Sequence, residues 1–550
     1  MSANSAIFNP TESTSAATGD GFSCPRLTTV GRLAINFGPG DKGMMVFDTT
    51  LDNLFIWNGT AWESVAGSGD SLDTEVIFND LGELAGDPGL TYQKSVQRLT
   101  VSGFIDIWKG NLQDNTSTAV GSTALAATIA GATNNTAVGY RAMYRSTSGN
   151  SNVAVGNSTL SALGYTGSGN VAVGNSAGSG INSGNSNVAI GASAASTGTF
   201  SGSNNIAVGS TAMSSAGTVS GSDNIGIGRE TFRSLTSGGN NTGIGNQSLR
   251  TLTTGDTNVG LGYQAGYNIT TGFDNVCIGT NSGVSSGSIT GSNNVGIGRD
   301  TFRGLNTGSD NVAIGRNANT AVTTGNNNVA IGVNSLTSLQ TGGNNVGIGQ
   351  AALNSCVVGD QTAIGSEALL SLQNGGNNTA IGRAALRALV SNSNCTALGY
   401  FAARANTAAQ VTAIGANALA LGTSGPDNTA VGYLALGNAV VSGGGNTAVG
   451  SGCLSAVTSG FGNTSIGINS GNTLTTGTAN VLIGANCTTS AVGVSNELSV
   501  GSSTEFVATN GAAATYFPTA TAGAVVLGTA LGFIRIRLNG TFVKIPVYGN

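Results

Sequence analysis

The chain has 550 residues, of which only 8% are charged; glycine numbers 88, proline 7, and histidine is absent. A formal charge of −5 and a pI near 4.8 argue against nucleic acid and anionic membrane surfaces as partners, and the absence of histidine excludes a Ser-His-Asp triad. An apolar content of 39% with a regular β-branched rhythm predicts an ordered chain.

The N-terminus, Met1 to Pro10, lacks the basic region and apolar core of a signal peptide. No stretch approaches ~18 uninterrupted apolar residues, so no membrane-spanning helix is expected. The six cysteines (Cys24, Cys277, Cys356, Cys395, Cys453 and Cys487) form no CxxC pair, so no zinc site is expected. Cys453 and Cys487 share one phase of the repeat described below but sit two coils apart, roughly 9–10 Å, too far for a disulfide. The cysteines therefore read as small buried hydrophobes in a reduced compartment.

Residues 1–30 are polar and read as irregular. Gly43–Thr50, Leu54–Gly59 and Thr60–Val65 read as a three-stranded meander with turns at Asp52-Asn53 and Asn58-Gly59, and Trp57 and Trp62 as the core of this small β unit. A Gly/Ser linker, Ala66–Ser71, leads to a strand–turn–strand segment over Val76–Gly103 with Pro88-Gly89 as the turn. The meander resembles a module that recurs where phage tail and fibre proteins begin, and Val76–Gly103 resembles a short connector placed just before a fibre shaft. The resemblance implies a virion-attachment unit over 1–70, with Trp57 and Trp62 in it, and a connector over 71–114.

From 115 to 501 one phrase dominates, as in Asn327-Asn328-Val329-Ala330-Ile331-Gly332. It recurs 23 times, from Gly121 to Gly501, at spacings of 16 to 19 residues with 17 the commonest. Such a period marks a stacked repeat architecture, one strand per coil. Counted from the glycine, the preceding residue is always Val, Ile or Leu, and the residue three before is Val, Thr, Ile or Leu. Both share one strand face and are expected to fill the inside of the coil. The residue between them, usually Ala or Gly, is expected to meet a neighbouring chain closely. After the glycine come a small residue at plus three and often Leu at plus four and plus seven (Leu336, Leu339), then a Thr-Gly-Gly-Asn turn. Four before the glycine, 18 of 23 copies carry Asn, including Asn311, Asn328 and Asn345. These are expected to stack as an amide ladder; turn chemistry can coexist with it.

The phrase resembles the Ser-Val-Ala-Ile-Gly head repeats of YadA-like trimeric adhesins. It stands nearer to the repeats of phage and large-virus fibre proteins, as in Gly376-Asn377-Asn378-Thr379-Ala380-Ile381-Gly382. The resemblance implies a homotrimeric left-handed parallel β-roll; the period here is longer than in those heads. At ~4.8 Å per coil the shaft would be roughly 110 Å long.

Phosphate-loop, calcium-nonapeptide and glycosidase readings fail. Gly226–Glu230 is followed by no helix pattern, acidic residues keep no fixed phase, and the array holds only ten Asp and Glu. No catalytic, metal or cofactor residue is assigned. Gly228–Arg233 and Gly298–Arg303 are near copies 70 residues apart, the ends of a duplicated four-coil block. Arg229, Arg233, Arg299 and Arg303 read as a solvated surface paired with Glu230 and Asp300, and are kept as a candidate surface contact patch.

Over 502–550, Leu531–Leu538 and Thr541–Tyr548 read as a hairpin around Asn539-Gly540. The segment resembles terminal hairpins of phage appendage proteins, which implies a cap on the stack. The whole is read as an all-β viral fibre, a homotrimer in the virion, assembled in the host cytoplasm. It docks on other virion proteins through its N-terminal region and contacts a host glycan or protein. A decoration or collar fibre without a receptor, a bacterial surface adhesin and an enzyme are the alternatives, in that order.

Overall fold

The structure is a computed structural model. It describes residues 26–34, 38, 42, 44–51, 53–64, 90–93, 98–101, 105–108, 116–126, 132–196, 198–501, 505–509, 514–518, 530–538 and 541–548. Cys24, the linker at 66–71, Asp52 and the turns at Pro88-Gly89 and Asn539-Gly540 lie outside the described residues. The chain divides into two compact units, Met1–Ser220 and Gly221–Asn550. The fold is all-β, a parallel β-solenoid with a small N-terminal sheet, as the repeat period implies.

In the first unit, strands β2 (Met45–Asp48), β3 (Asn53–Trp57) and β4 (Trp62–Ser64) form the expected antiparallel meander. Two elements were not anticipated: β1 (Arg26–Leu27), which pairs parallel with β2, and a short helix α1 (Thr29–Leu33). The first turn differs too. Asn53 belongs to β3, and the turn is held by the Asp48 carboxylate, which accepts from the Thr50 and Leu51 amides at 2.9 and 3.1 Å. The buried centre is Met44, Val46 and Phe55 with the ion pair Arg32–Asp48 at 2.9 Å, not the tryptophans, which are half-buried. α1 brings Arg32 to this centre, where its guanidinium lies 3.6 Å from the Phe55 ring centroid.

Strands Leu90–Gln93, Arg98–Val101 and Ile105–Trp108 follow as an antiparallel series whose last member pairs with the first repeat strand, Thr118–Val120. Five more repeat strands complete the first unit, ending at Ile206–Val208. The second unit carries 17 repeat strands, from Ile225–Ile227 to Leu498–Gly501. Neighbouring strands in each unit are parallel and in strict register: Val312 faces Val329, Ala313 faces Ala330 and Ile314 faces Ile331. Strands Glu505–Thr509 and Ala514–Pro518 then pair antiparallel onto the last repeat, occupying its free edge. The hairpin Ala530–Leu538 with Thr541–Tyr548 is present in the expected register, Leu538 opposite Thr541.

The repeat glycine makes the corner. Gly332 has φ +133°, and a Cβ there would stand 2.5 Å from the Gly349 carbonyl oxygen of the next coil. Left-handed backbone recurs on either side of that glycine. It is found five residues before it, where Asn327 suits the conformation, and two and four after it, at Asn334 and Leu336. Leu tolerates φ 49° at 336 because its side chain is fully buried in the coil interior.

The interior corrects the expected facing of the strand. Ala330 is 0% exposed, while Val329 and Ile331 on either side are only half-buried, and the same pattern runs through both units. The small residue points in and the β-branched pair points out. The cause is volume: the inside of each coil is already filled by the residues at plus four and plus seven, such as Phe232, Leu235, Leu336 and Leu339. A Cβ on Gly243 would fall 2.8 Å from Thr231 Cγ2 and 3.1 Å from Phe232 Cζ. Only a small side chain fits that wall.

Candidate interaction surfaces

The asparagine phase lies inside the coil at its turn. Asn328 donates from Nδ2 to Asn311 Oδ1 at 2.9 Å and to the Gly342 carbonyl at 3.0 Å, and its backbone amide donates to the same Asn311 oxygen at 3.0 Å. Asn345 repeats this onto Asn328. Each buried amide thus satisfies neighbours above and below. In the first unit the Tyr165 hydroxyl enters the ladder. It donates to Asn152 Oδ1 at 2.7 Å and accepts from Asn170 Nδ2 at 2.8 Å, and burial pushes its pKa up. In the second unit Cys395 and Val411 interrupt the amides, and Glu497 ends them with its carboxylate accepting from Ser490. The ladder is an internal brace, not a surface.

The outward face is a surface. The two β-branched rows carry no charged residue in any of the 23 repeats. Within the second unit Ile244 is 41% exposed, Leu398 44%, Ile466 44% and Ile483 43%. The row directly before the glycine is Val, Ile or Leu in every repeat, and a contiguous exposed apolar row of this kind marks a contact surface.

Arg229, Arg233, Arg299 and Arg303 are all exposed. The two pairs are four coils apart, roughly 19 Å at the spacing of paired strands, so they form two separate positions rather than one patch. Arg229 stands 3.6 Å from Glu230 and Arg299 3.5 Å from Asp300. Glu230 also receives Gln247 at 2.8 Å and Arg250 at 3.0 Å; the Gln247 hydrogen bond first, then the arginines, hold its carboxyl below the ordinary range. In the N-terminal sheet Trp57 and Trp62 meet edge to face at 5.7 Å, and Trp57 donates to the Gly38 carbonyl at 3.2 Å.

Cys277, Cys356, Cys395, Cys453 and Cys487 are buried and unpaired by disulfides. Desolvation pushes the Cys277 thiol up to about 12 and that of Cys356 up to about 11. Among the described residues no three His, Cys, Asp or Glu side chains converge to hold a metal ion, and no helix is long and apolar enough to cross a membrane.

Residues 5–77 match the family model of a phage tail-like trimerisation region. That segment contains the small sheet with Arg32, Asp48, Trp57 and Trp62, and it precedes the repeats. No curated protein and no solved structure gives a significant match to the chain.

Proposed function

We propose that this protein is a structural fibre of a phage tail, a homotrimer whose chains associate first through the N-terminal region and then along the repeat strands. The exposed, charge-free rows of Val, Ile, Leu and Thr carry this reading. A trimer gives them a partner, and the trimerisation-type segment at 5–77 would bring three copies into line. The role is mechanical rather than enzymatic, in a virion-associated protein. The N-terminal sheet, with Trp57 and Trp62 on it, docks on another virion protein, and exposed corners such as those at Arg229, Arg233, Arg299 and Arg303 contact the host surface.

Two measurements test this. Light scattering on the purified full chain should give three times 54.0 kDa; a stable single-chain mass overturns the trimer. Immunogold labelling of intact virions should place the protein on the tail, and labelling confined to the capsid or neck would assign it to decoration instead.

A further inference from the structure

One corner of the second unit gathers arginine and tyrosine. The residue directly after the repeat glycine forms its own stacked column, across the glycine bend from the Val/Ile stripe. Backbone hydrogen bonds define it: Phe401 donates to the Arg383 carbonyl at 3.0 Å, Asn417 to that of Tyr400 at 2.8 Å and Leu434 to that of Ala416 at 3.1 Å. Arg383, Tyr400, Ala416 and Tyr433 therefore follow one another on consecutive coils. Tyr400 is 45% exposed and Tyr433 55%. Ala416, on the coil between them, leaves the two tyrosines separated by a small side chain.

The Tyr400 ring is pre-ordered. Tyr400 stacks on Phe401 with centroids 4.0 Å apart and planes at 26°. The Arg383 guanidinium lies 5.9 Å from the Tyr400 centroid and 5.6 Å from that of Phe401, and the Arg404 guanidinium 4.8 Å from Phe401. Arg387 is neutralised by Glu367 at 2.8 Å. Among the described residues neither Arg383 nor Arg404 has a carboxylate in ion-pair range. An acidic chain thus presents an exposed guanidinium, Arg383, beside the exposed Tyr400 ring, with the half-buried Arg404 behind it against Phe401.

We propose that this corner binds an acidic polysaccharide. A pyranose ring lays its apolar C–H face on a tyrosine, as apolar groups do on aromatic faces in ligand sites. The Arg guanidinium supplies a planar donor fork that matches a uronate carboxylate. A ring held by stacking, as Tyr400 is, loses little conformational freedom on binding. A polymer running along the column meets Tyr400 and Tyr433 in turn, with Arg383 at one end. The inference rests on the fibre reading above, and it names the chemical class that the host-contacting surface would recognise.

The test uses the full chain with alginate as the polyuronate and dextran as its neutral counterpart, measured by calorimetry at low salt. Wild type should bind alginate and not dextran. The double variant Y400A/Y433A should weaken binding by at least about tenfold, Y400F should retain it because the stack survives, and R383Q should weaken it with the rings intact. Circular dichroism melts exclude misfolding. Failure of wild type to bind alginate, unchanged binding by Y400A/Y433A, or equal binding of dextran overturns the proposal. Chain mass is read on the same samples. A three-chain mass without alginate binding overturns this inference alone, whereas a single-chain mass overturns the fibre reading whatever the saccharide result.

Discussion

Asn328 Nδ2 stands 2.9 Å from Asn311 Oδ1, and Asn328 Oδ1 in turn accepts from both the backbone and side-chain nitrogens of Asn345, at 3.1 and 3.0 Å. One buried amide thus serves three coils. In Asn328→Ala the Asn311 oxygen, the Gly342 carbonyl and both Asn345 donors lose a partner. Leaving a buried polar group unmet costs about 1–3 kcal/mol, so the local loss should be at least about 2 kcal/mol. Repeat arrays open locally. The check is hydrogen exchange, in which the Asn345 amide should lose protection while coils far along the array keep theirs.

Asn319 is the converse case. It sits at the plus-four phase, where the two adjacent coils place Phe302 and Leu336; it is 0% exposed, and neither Nδ2 nor Oδ1 has a hydrogen-bond partner. Its φ of 50° matches the 49° that Leu336 adopts, so leucine fits the backbone there. Asn319→Leu should therefore stabilise the array by about 1–3 kcal/mol. A raised melting temperature supports this account, and a lowered one shows that the pocket around the amide cannot take a leucine.

The outward stripe gives a variant that separates folding from association. Ile466 and Ile483 are both more than 40% exposed in the single chain. Replacing both by Glu should leave the β-sheet circular dichroism signal in place and reduce the assembled mass or its resistance to dilution. A double variant that assembles like wild type would place the chain-to-chain contact elsewhere.

The buried cysteines should be silent to thiol reagents in the native protein at pH 8, because only the thiolate reacts and the Cys277 thiol is held near 12. Titration with a chromogenic disulfide before and after denaturation should expose five additional thiols, those of the described cysteines. A thiol whose folded pKa is raised favours the folded state most at lower pH. The contribution of Cys277 is complete below the unfolded thiol range, near 9.0, and is lost as pH rises from there toward 12. Cys277→Ala should flatten this alkaline decline.

Much of the architecture follows from residue order alone. The glycine period sets one strand per coil, β-branched residues at alternate positions place the strand, and Asn-Gly marks the terminal hairpin. The 18 asparagines at a single phase are visible in the same way, because stacking in register turns a sequence phase into a column. Which strand face meets the core is not. Alternation separates Val329 and Ile331 from Ala330, yet a period of two is symmetric between inside and outside. The decision belongs to Leu336 and Leu339, which follow the strand and fill the coil first, leaving only a methyl's width opposite Ala330. In the N-terminal sheet, likewise, the guanidinium over Phe55 comes from Arg32 on α1, an element outside the meander that residue order did not announce. Periodicity fixes the phases of a solenoid; the volume inside each coil decides which phase turns inward.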